Sequence, residues 1–226
     1  MFKFLSNNLL WQDGKYIAII TLLTLAVLLF LKFKFNHSFV LIIINILSIL
    51  ALGFFLFSLY FFRNPDRVCK EREFDNNILI SPADGKVVTI EKISGSSDYT
   101  QKISVFLSPI DVHVNWIPDD GTIENVIYRP GRFIVAFAPK SSDINERNDI
   151  VINCKKGKIQ IGQIAGFVAR RICCWVKKGD NVKEGTKFGM IRFGSRVDIF
   201  LPSNVEIKVN LGQKIKGGQT VIGRWL

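Results

Sequence analysis

The chain has 226 residues, 48% of them hydrophobic, and its 30 Lys and Arg against 19 Asp and Glu give a net charge of +11. This length has room for one domain of ordinary size plus an appendage. The four cysteines show no CxxC pair and no histidine at zinc-ligand spacing, so we expect reduced thiols in a cytosolic setting, without a disulfide framework. The basic balance fits nucleic acid or an anionic membrane surface and does not choose between them.

Two long apolar runs come first, at residues 16–31 and 39–62. As helices at about 1.5 Å per residue they would extend about 24 and 36 Å, against a hydrocarbon core of about 30 Å. Because the link between them is short, we predict an N-terminal two-helix membrane hairpin over residues 1–62; whether it spans the bilayer or enters from one side stays open. A signal peptide is the competing interpretation of the first run, but no small-x-small cleavage site follows it.

Basic residues after the second run favour a body that faces the cytoplasm at the inner membrane, by the positive-inside tendency. They are Arg63, Arg67, Lys70 and Arg72. Lys32 and Lys34 in the link between the runs weaken this assignment of orientation.

From Arg63 onward, short β-branched runs alternate with Gly, Pro, Asn and Asp, which predicts a mainly β body over residues 63–226. The predicted strands are 87–93, 103–107, 112–116, 122–128, 150–154, 158–164, 196–201 and 205–209. A short helix is expected near residues 141–147, where Ser141 and Ser142 could cap its start and Glu146 falls in the following turn.

Two stretches, residues 176–188 and 209–221, share the frame V-x-x-G-x-x-[VI]-K-x-G-x-x-[FV] at an offset of 33 residues. Glycines at fixed steps allow positive φ at tight turns, so each copy is expected to be a turn plus a short strand of one pseudo-symmetric β-sandwich or barrel. The frame resembles the half-motif of lipoyl and biotinyl carrier domains; ordinary glycine turns of a sandwich are the alternative. Carrier domains place their modified lysine ten residues after the second glycine, and counting ten from Gly185 reaches Ser195.

The Gly194-Ser195 pair interrupts a run that would place four apolar residues on one face of a single strand: Ile191, Phe193, Val197 and Ile199. A serine hydroxyl can attack the carbonyl of the preceding residue and convert the amide to an ester, and elimination from that ester followed by hydrolysis leaves a pyruvoyl group. This chemistry needs a small preceding residue, a β-hydroxyl and a base within reach. An ordinary turn or bulge is the alternative for an isolated Gly-Ser pair.

Seven blocks occur in order along the body: FFRNPDR (61–67), SPADGKV (81–87), FLSPIDVHVN (106–115), RPGRF (129–133), NERN (145–148), GQIAGFVARR (162–171) and FGMIRFGS (188–195). Together they resemble phosphatidylserine decarboxylase of the short prokaryotic type, over nearly all of residues 61–226. The resemblance implies a proenzyme that cuts itself between Gly194 and Ser195. The products would be a large chain (1–194) and a small chain (195–226), the latter headed by a pyruvoyl group made from Ser195.

The implied reaction converts phosphatidylserine to phosphatidylethanolamine and CO2 through a Schiff base with that pyruvoyl group, with no metal or nucleotide required. The implied partners are the phospholipid substrate, the membrane and the two cleavage products as a heterodimer; a higher oligomer and the lipid backbone stay open. Nucleic acid is not expected, because the aromatic residues are concentrated in the membrane runs and form no recognisable stacking motif.

Two further residues are candidates for proton transfer. His113 is the only histidine of the body, and an ordinary pKa near 6.5 suits either removal or return of a proton; a structural strand histidine is the alternative. Asp84 would by default be a turn aspartate, whereas the resemblance implies that it acts with a histidine to activate Ser195. The longer family members carry a second histidine where this chain has Trp116, so the base for self-cleavage stays open.

Three arginines, Arg132, Arg170 and Arg171, could hold the lipid phosphate or carboxylate, and solvated surface charge is the alternative for each. A membrane-anchored lipoyl-like carrier or adaptor without catalysis is the competing function. It explains the repeat and the two apolar runs. It does not explain a serine at the lysine position, nor the blocks around Asp84 and His113.

Overall fold

In the computed structural model, the described residues are 12–95, 98–132, 144–166, 172–192 and 195–226. The chain divides into two compact units, Met1–Pro65 and Asp66–Leu226. The two units differ in secondary structure, since the first is helical and the second is mainly β.

The first unit consists of two apolar helices, α1 (Gln12–Lys34) and α2 (Ser38–Phe61). Both predicted apolar runs are therefore confirmed as helices, and each is long and apolar enough to cross a membrane. A methyl group on Gly14 would overlap Phe62, so the start of α1 lies against the end of α2 and the helices form an antiparallel hairpin. The hydroxyls of Ser48 and Ser58 donate to carbonyl oxygens one turn earlier, at 2.7 and 2.8 Å. These hydroxyls thus need no water, which suits an apolar surrounding.

The described part of the second unit contains a 3-10 helix (Lys70–Glu73) and fourteen strands. The strands are β1 (Ile78–Ile80), β2 (Gly85–Lys92), β3 (Gln101–Leu107), β4 (Val114–Trp116), β5 (Gly121–Arg129), β6 (Arg147–Cys154), β7 (Gly157–Ala165), β8 (Ile172–Cys174), β9 (Asn181–Val182), β10 (Lys187–Ile191), β11 (Ser195–Leu201), β12 (Val205–Ile207), β13 (Lys214–Ile215) and β14 (Val221–Trp225). All eight predicted strands fall on observed ones, which confirms a mainly β body.

The strands form three sheets in which all pairs are antiparallel: β13-β2-β3-β11-β7-β6-β5-β9, β4-β10-β8 and β1-β14-β12. One face of the eight-stranded sheet carries a continuous apolar core, to which the two smaller sheets contribute Phe188 and Leu79. Alternation along β11 sends Val197, Ile199 and Leu201 into this core. Between the described residues no sheet closes on itself, so the barrel form of the predicted fold is not found.

The two copies of the repeated frame adopt matching local conformations. Gly179 and Gly185 in the first copy have φ of +90° and +74°, and Gly212 and Gly218 in the second have +83° and +72°. Only glycine takes this left-handed conformation without strain. Each copy also supplies a two-residue strand, β9 or β13, and these two strands form the opposite edges of the eight-stranded sheet.

The helix expected near residues 141–147 is wrong at its C-terminal end, and residues 141–143 lie outside the described part. Arg147 begins β6, and Asn145 forms a bridge with Arg132. The cross-strand pairing of β6 with both β5 and β7 outweighs the local capping pattern that suggested a helix.

Candidate active site

Ser195 is the first residue of β11 and is fully buried. It pairs with Leu107 of β3 on one side and with Ala165 of β7 on the other, and alternation places its side chain on the core face with Val197. Its Oγ has no hydrogen-bond partner among the residues that the structure describes. Leaving a buried hydroxyl unpaired costs about 1–3 kcal/mol. Folding gains nothing from this arrangement, which fits a group retained for chemistry.

Ser195 begins a strand in a different sheet from the strand that precedes it in the chain. β10 ends at Ile191 in a three-stranded sheet, and β11 begins at Ser195 in the eight-stranded sheet. Gly194 and Phe193 are outside the described residues. The predicted strand 196–201 is therefore confirmed as part of β11, and the interruption of the alternating run separates two strands of different sheets.

His113 is fully buried just before β4. Its carbonyl oxygen accepts a hydrogen bond from the backbone N–H of Ile191 at 3.2 Å, which ties it to the end of β10, four residues before Ser195. Its Nδ1 lies 2.9 Å from the carbonyl oxygen of Asp111. Because a carbonyl oxygen only accepts, Nδ1 is the donor in this contact, so whenever the ring is neutral its lone pair is on Nε2. The ring is thus in the tautomer that a base acting through Nε2 requires.

Asp84 is buried and accepts hydrogen bonds at both carboxylate oxygens. Arg67 donates to both oxygens, with its Nη2 3.0 Å from Oδ2. The backbone N–H of Gly217 donates to Oδ1 at 2.8 Å, and that of Val112 donates to Oδ2 at 3.3 Å. The carboxylate therefore reaches the segment of His113 through the backbone of the preceding residue, Val112.

Trp116, at the position where the resemblance leads us to expect a second histidine, packs against Arg67. The Arg67 guanidinium carbon lies 4.9 Å from the centre of the Trp116 ring, within the range of a cation–π interaction. A methyl group at Gly217 or Gly218 would lie 2.5 or 3.0 Å from this ring. Small residues at both positions are thus required for the ring to fit. Trp116 offers no titratable group, so it cannot replace the missing histidine as a base.

A chain of buried amide side chains connects the segments of the site. Gln163 Nε2 donates to Asn115 Oδ1 at 2.9 Å, and Asn148 Nδ2 donates to Gln163 Oε1 at 3.1 Å. Asn115 Nδ2 in turn donates to the carbonyl oxygen of Pro82 at 3.4 Å. A methyl group on Gly189 would lie 2.6 Å from Gln163 Nε2, so this glycine leaves the amide its space.

The position of this amide chain matters for the three predicted site residues. Pro82 lies two residues before Asp84, and Asn115 lies two residues after His113. Gln163 pairs with β11 two residues beyond Ser195. The amides thus hold together the three segments that carry the site. The blocks SPADGKV, FLSPIDVHVN, NERN and GQIAGFVARR contain Pro82 and these amides, but polar residues in strands are usually solvent-facing, so the sequence carries no signal for a buried role.

Of the three arginines predicted to bind the substrate, one lies among the described residues. Arg132 is exposed, and its backbone bonds to Ile144 and Glu146. Arg170 and Arg171 lie outside the described residues. Their role in holding a phosphate or carboxylate stays a prediction.

A polar cleft lies elsewhere in the body and contains none of the three site residues. Among its lining residues is Glu184, where burial raises the pKa of the carboxyl above its ordinary value, with Asp120 and Asp119 contributing in the same direction and Arg72 opposing.

Comparison with known proteins gives a family match over the body. A family model described as phosphatidylserine decarboxylase matches residues 54–223. Three curated relatives bear the name phosphatidylserine decarboxylase proenzyme. One from Amoebophilus asiaticus is 47% identical over 173 residues, covering 75% of this chain and 76% of that protein. One from Syntrophus aciditrophicus is 44% identical over 181 residues (78% and 84%), and one from Pelodictyon phaeoclathratiforme is 42% identical over 172 residues (75% and 80%).

Proposed function

Since this chain belongs to the phosphatidylserine decarboxylase family, we infer that it is made as a proenzyme and converts phosphatidylserine to phosphatidylethanolamine and CO2. The observation that carries the inference to particular atoms is the buried Ser195 hydroxyl, unpaired within the described structure, at the first position of β11. Ser195 is the last residue of the block FGS, where the family resemblance implies self-cleavage.

In the proposed cleavage, Ser195 supplies the nucleophile that breaks its own peptide bond to Gly194. Ser195 Oγ attacks the carbonyl carbon of Gly194, the amide nitrogen leaves, and an ester joins the two halves. Removal of the Ser195 Cα proton then expels the Gly194 carboxylate from Cβ and leaves dehydroalanine. Addition of one water and loss of one ammonia complete the pyruvoyl group at the head of the small chain.

His113 is the base that the arrangement supports best. Its Nδ1 proton is held by the Asp111 carbonyl, so Nε2 can accept a proton and later return it. Its backbone is tied to Ile191, close in the chain to the reacting pair. His113 therefore serves proton transfer in cleavage and, in the mature enzyme, at the substrate carbon that loses CO2.

Asp84 supports this histidine as a positioning residue. Its carboxylate binds the N–H of Val112 and is itself held by Arg67 and Gly217. A carboxylate that accepts from four donors fixes the backbone from which His113 extends. Trp116 completes the arrangement by packing against Arg67.

Ser195 and its surroundings fit the pyruvoyl group, since its methyl carbon is the former Cβ and its keto oxygen replaces the nitrogen on the former Cα, so the group needs no more room than the buried serine it replaces. The group supplies a ketone that takes up the electrons released when the substrate carboxylate departs. Full burial of Ser195 keeps water away from the start of β11. We assign headgroup binding to Arg132, Arg170 and Arg171.

The two products would remain one folded body. The small chain (195–226) contains β11 to β14, and these strands lie in both the eight-stranded and a three-stranded sheet beside strands of the large chain. We therefore propose a heterodimer of large and small chain. Residues 63–226 form the decarboxylase domain, and residues 1–62 form its membrane anchor.

A membrane-anchored body suits a lipid substrate. Residues 1–62 hold four Lys and one Asp, so the remainder carries 30 − 4 = 26 basic and 19 − 1 = 18 acidic residues, a net charge of +8. A basic body near anionic phosphatidylserine is drawn to the bilayer surface. We place it at the inner membrane, facing the cytoplasm.

The matched turns of the repeated frame also support a relation to lipoyl-like carrier domains. The four glycines of the two copies share one backbone conformation, and their strands take equivalent edge positions. In this proposal the scaffold that presents a lysine in carrier domains here presents Ser195.

The experiment that tests the function is a product assay. Purified protein in mixed micelles with phosphatidylserine should release CO2 and form phosphatidylethanolamine, and Ser195→Ala should do neither. Release of CO2 by Ser195→Ala at the wild-type rate would overturn the proposal.

A further inference from the structure

Four charged residues are buried on the face of the eight-stranded sheet opposite the core. Arg147 and Asp149 belong to β6, and Arg196 and Asp198 belong to β11. Their side chains are between 0 and 9% exposed. We refer to these four residues as the charged ladder.

The charged ladder is paired within and across strands. Arg147 Nε lies 2.6 Å from Asp149 Oδ1, and Arg196 Nε lies 2.8 Å from Asp198 Oδ1. Arg147 Nη1 lies 3.9 Å from Asp198 Oδ2, which links the two strands. Arg196 Nη2 also donates to Ser104 Oγ on β3, on the other side of β11, at 2.8 Å. Buried charges are tolerated only when they are paired in this way.

Strand β7 lies between the two pairs and makes room for them. Gly162 of β7 is opposite both Asp149 and Asp198. A methyl group on Gly162 would lie 2.7 Å from an Arg147 nitrogen and 2.8 Å from Asp149 Oδ1. The missing side chain is therefore what allows the ladder to cross β7.

The proposed self-cleavage divides the ladder between two chains. Arg196 and Asp198 would belong to the small chain, while Arg147, Asp149 and Ser104 would belong to the large chain. Arg196 is also the residue next to Ser195. Resting on the proposed cleavage, we propose that the charged ladder fixes the register of β11 once its covalent link to β10 is cut, and so positions the pyruvoyl group. The four residues are positioning residues for the reaction.

Sheet geometry shows why such a device is needed. A slip of β11 by one residue would turn Val197 and Ile199 out of the core, so the apolar pattern already opposes it. A slip by two residues keeps each side chain on its face, and the core pattern opposes it only weakly. It would move the strand start by about 7 Å, whereas misplacement by about 1 Å can already slow catalysis about a hundredfold. The ladder opposes this slip, because Asp198 would lose Arg147 and Arg196 would lose Ser104.

Hydrogen–deuterium exchange of the peptide 195–201 tests the proposal on the full-length protein in detergent. Asp198→Asn removes one charge of the ladder, and Glu206→Gln, at an exposed side chain of β12 in the same small chain, is the matched control. In the cleaved protein, β11 of Asp198→Asn should exchange about tenfold faster than in wild type or Glu206→Gln. In a Ser195→Ala background, which stays uncleaved, the same substitution should change the exchange by no more than about threefold, since the link to β10 still sets the register.

Activity supplies a second readout. With the pyruvoyl group counted by a carbonyl reagent, turnover per group should fall about tenfold in Asp198→Asn and stay at the wild-type value in Glu206→Gln. Should Asp198→Asn fail to fold, Ser104→Ala tests the proposal instead, because it keeps all four charges. In the cleaved protein, Ser104→Ala should make hydrogen–deuterium exchange of β11 about threefold faster.

The outcomes separate the two claims. Normal cleavage together with unchanged exchange and turnover in Asp198→Asn, or in Ser104→Ala where that variant decides, would overturn the role of the ladder alone. Absence of the 195–226 fragment from wild type would overturn the cleavage on which the proposal rests.

Discussion

Arg67 donates hydrogen bonds to both carboxylate oxygens of Asp84, and both side chains are about nine-tenths buried. The two residues are 17 positions apart in the chain. Arg67 lies five residues beyond the membrane hairpin predicted over residues 1–62, so it joins the first residues of the body to the loop that supports His113.

Arg67→Met should leave the buried Asp84 carboxylate without its ion partner. We expect a loss of about 3 kcal/mol in unfolding free energy, since breaking a buried pair leaves one buried charge without its partner. We also expect slower self-cleavage. Urea denaturation and a time course of cleavage on gels measure the two effects. Lys208→Met is the matched control, because its pair with Glu206 is solvent-exposed and contributes little. Equal behaviour of the two variants would contradict the role given to Arg67.

His113→Ala should slow self-cleavage by about 10²–10⁴-fold and abolish decarboxylation of any chain that does cleave. The chain has only two histidines, so His37→Ala, in the link between α1 and α2, is a natural control and should behave as wild type. Cleavage time courses and CO2 release measure both variants. Wild-type behaviour of His113→Ala would return this residue to a structural role.

Gln163→Leu should remove the hydrogen bonds that this side chain makes with two buried amides, Asn115 and Asn148. We expect a loss of about 2–6 kcal/mol in unfolding free energy, at about 1–3 kcal/mol for each of the two unpaired groups, with slower cleavage. Gln160, on the same strand, is partly exposed and has no side-chain hydrogen bond within the described part of the chain. Gln160→Leu should therefore lose little unfolding free energy. Thermal and urea unfolding of both variants decide. Similar losses in the two would show that the amide chain has no special weight.

Glu184→Gln should change stability only on the alkaline side of the wild-type titration. Burial raises the pKa of this carboxyl above 4.5, so the folded state favours the protonated form and wild type loses stability as pH rises through the folded pKa. The amide stays neutral, so the variant should unfold at higher urea than wild type near pH 8 and at about the same urea near pH 4. Urea midpoints across this range measure the effect, and Glu206→Gln controls for removal of one charge. A gain as large at pH 4 as at pH 8 would contradict the sign.

Much of the fold follows from local patterns. Period-two alternation identified the central strands, and the length of the apolar runs identified both helices. The glycine frame predicted the turns at Gly179 and Gly212, because only a residue without Cβ takes positive φ freely.

What could not be predicted depends on contacts between distant residues. The interruption between Ile191 and Val197 was predicted, but periodicity does not reveal that the strands on its two sides belong to different sheets. The end of the expected helix at Arg147 is overridden by strand pairing on both sides. The charged ladder and the amide chain were equally hidden. Polar residues in strands are normally assigned to solvent, and only the folded sheet shows that Asp198 and Gln163 are buried.

The mass of the fragment that begins at residue 195 tests the central claim most directly. Protein purified in active form should contain a fragment of residues 195–226 that is lighter by one ammonia than the same peptide headed by serine, and Edman chemistry should find its first position blocked. An active preparation that contains only the intact 25.7 kDa chain, or a fragment with an ordinary N-terminal serine, would contradict the account.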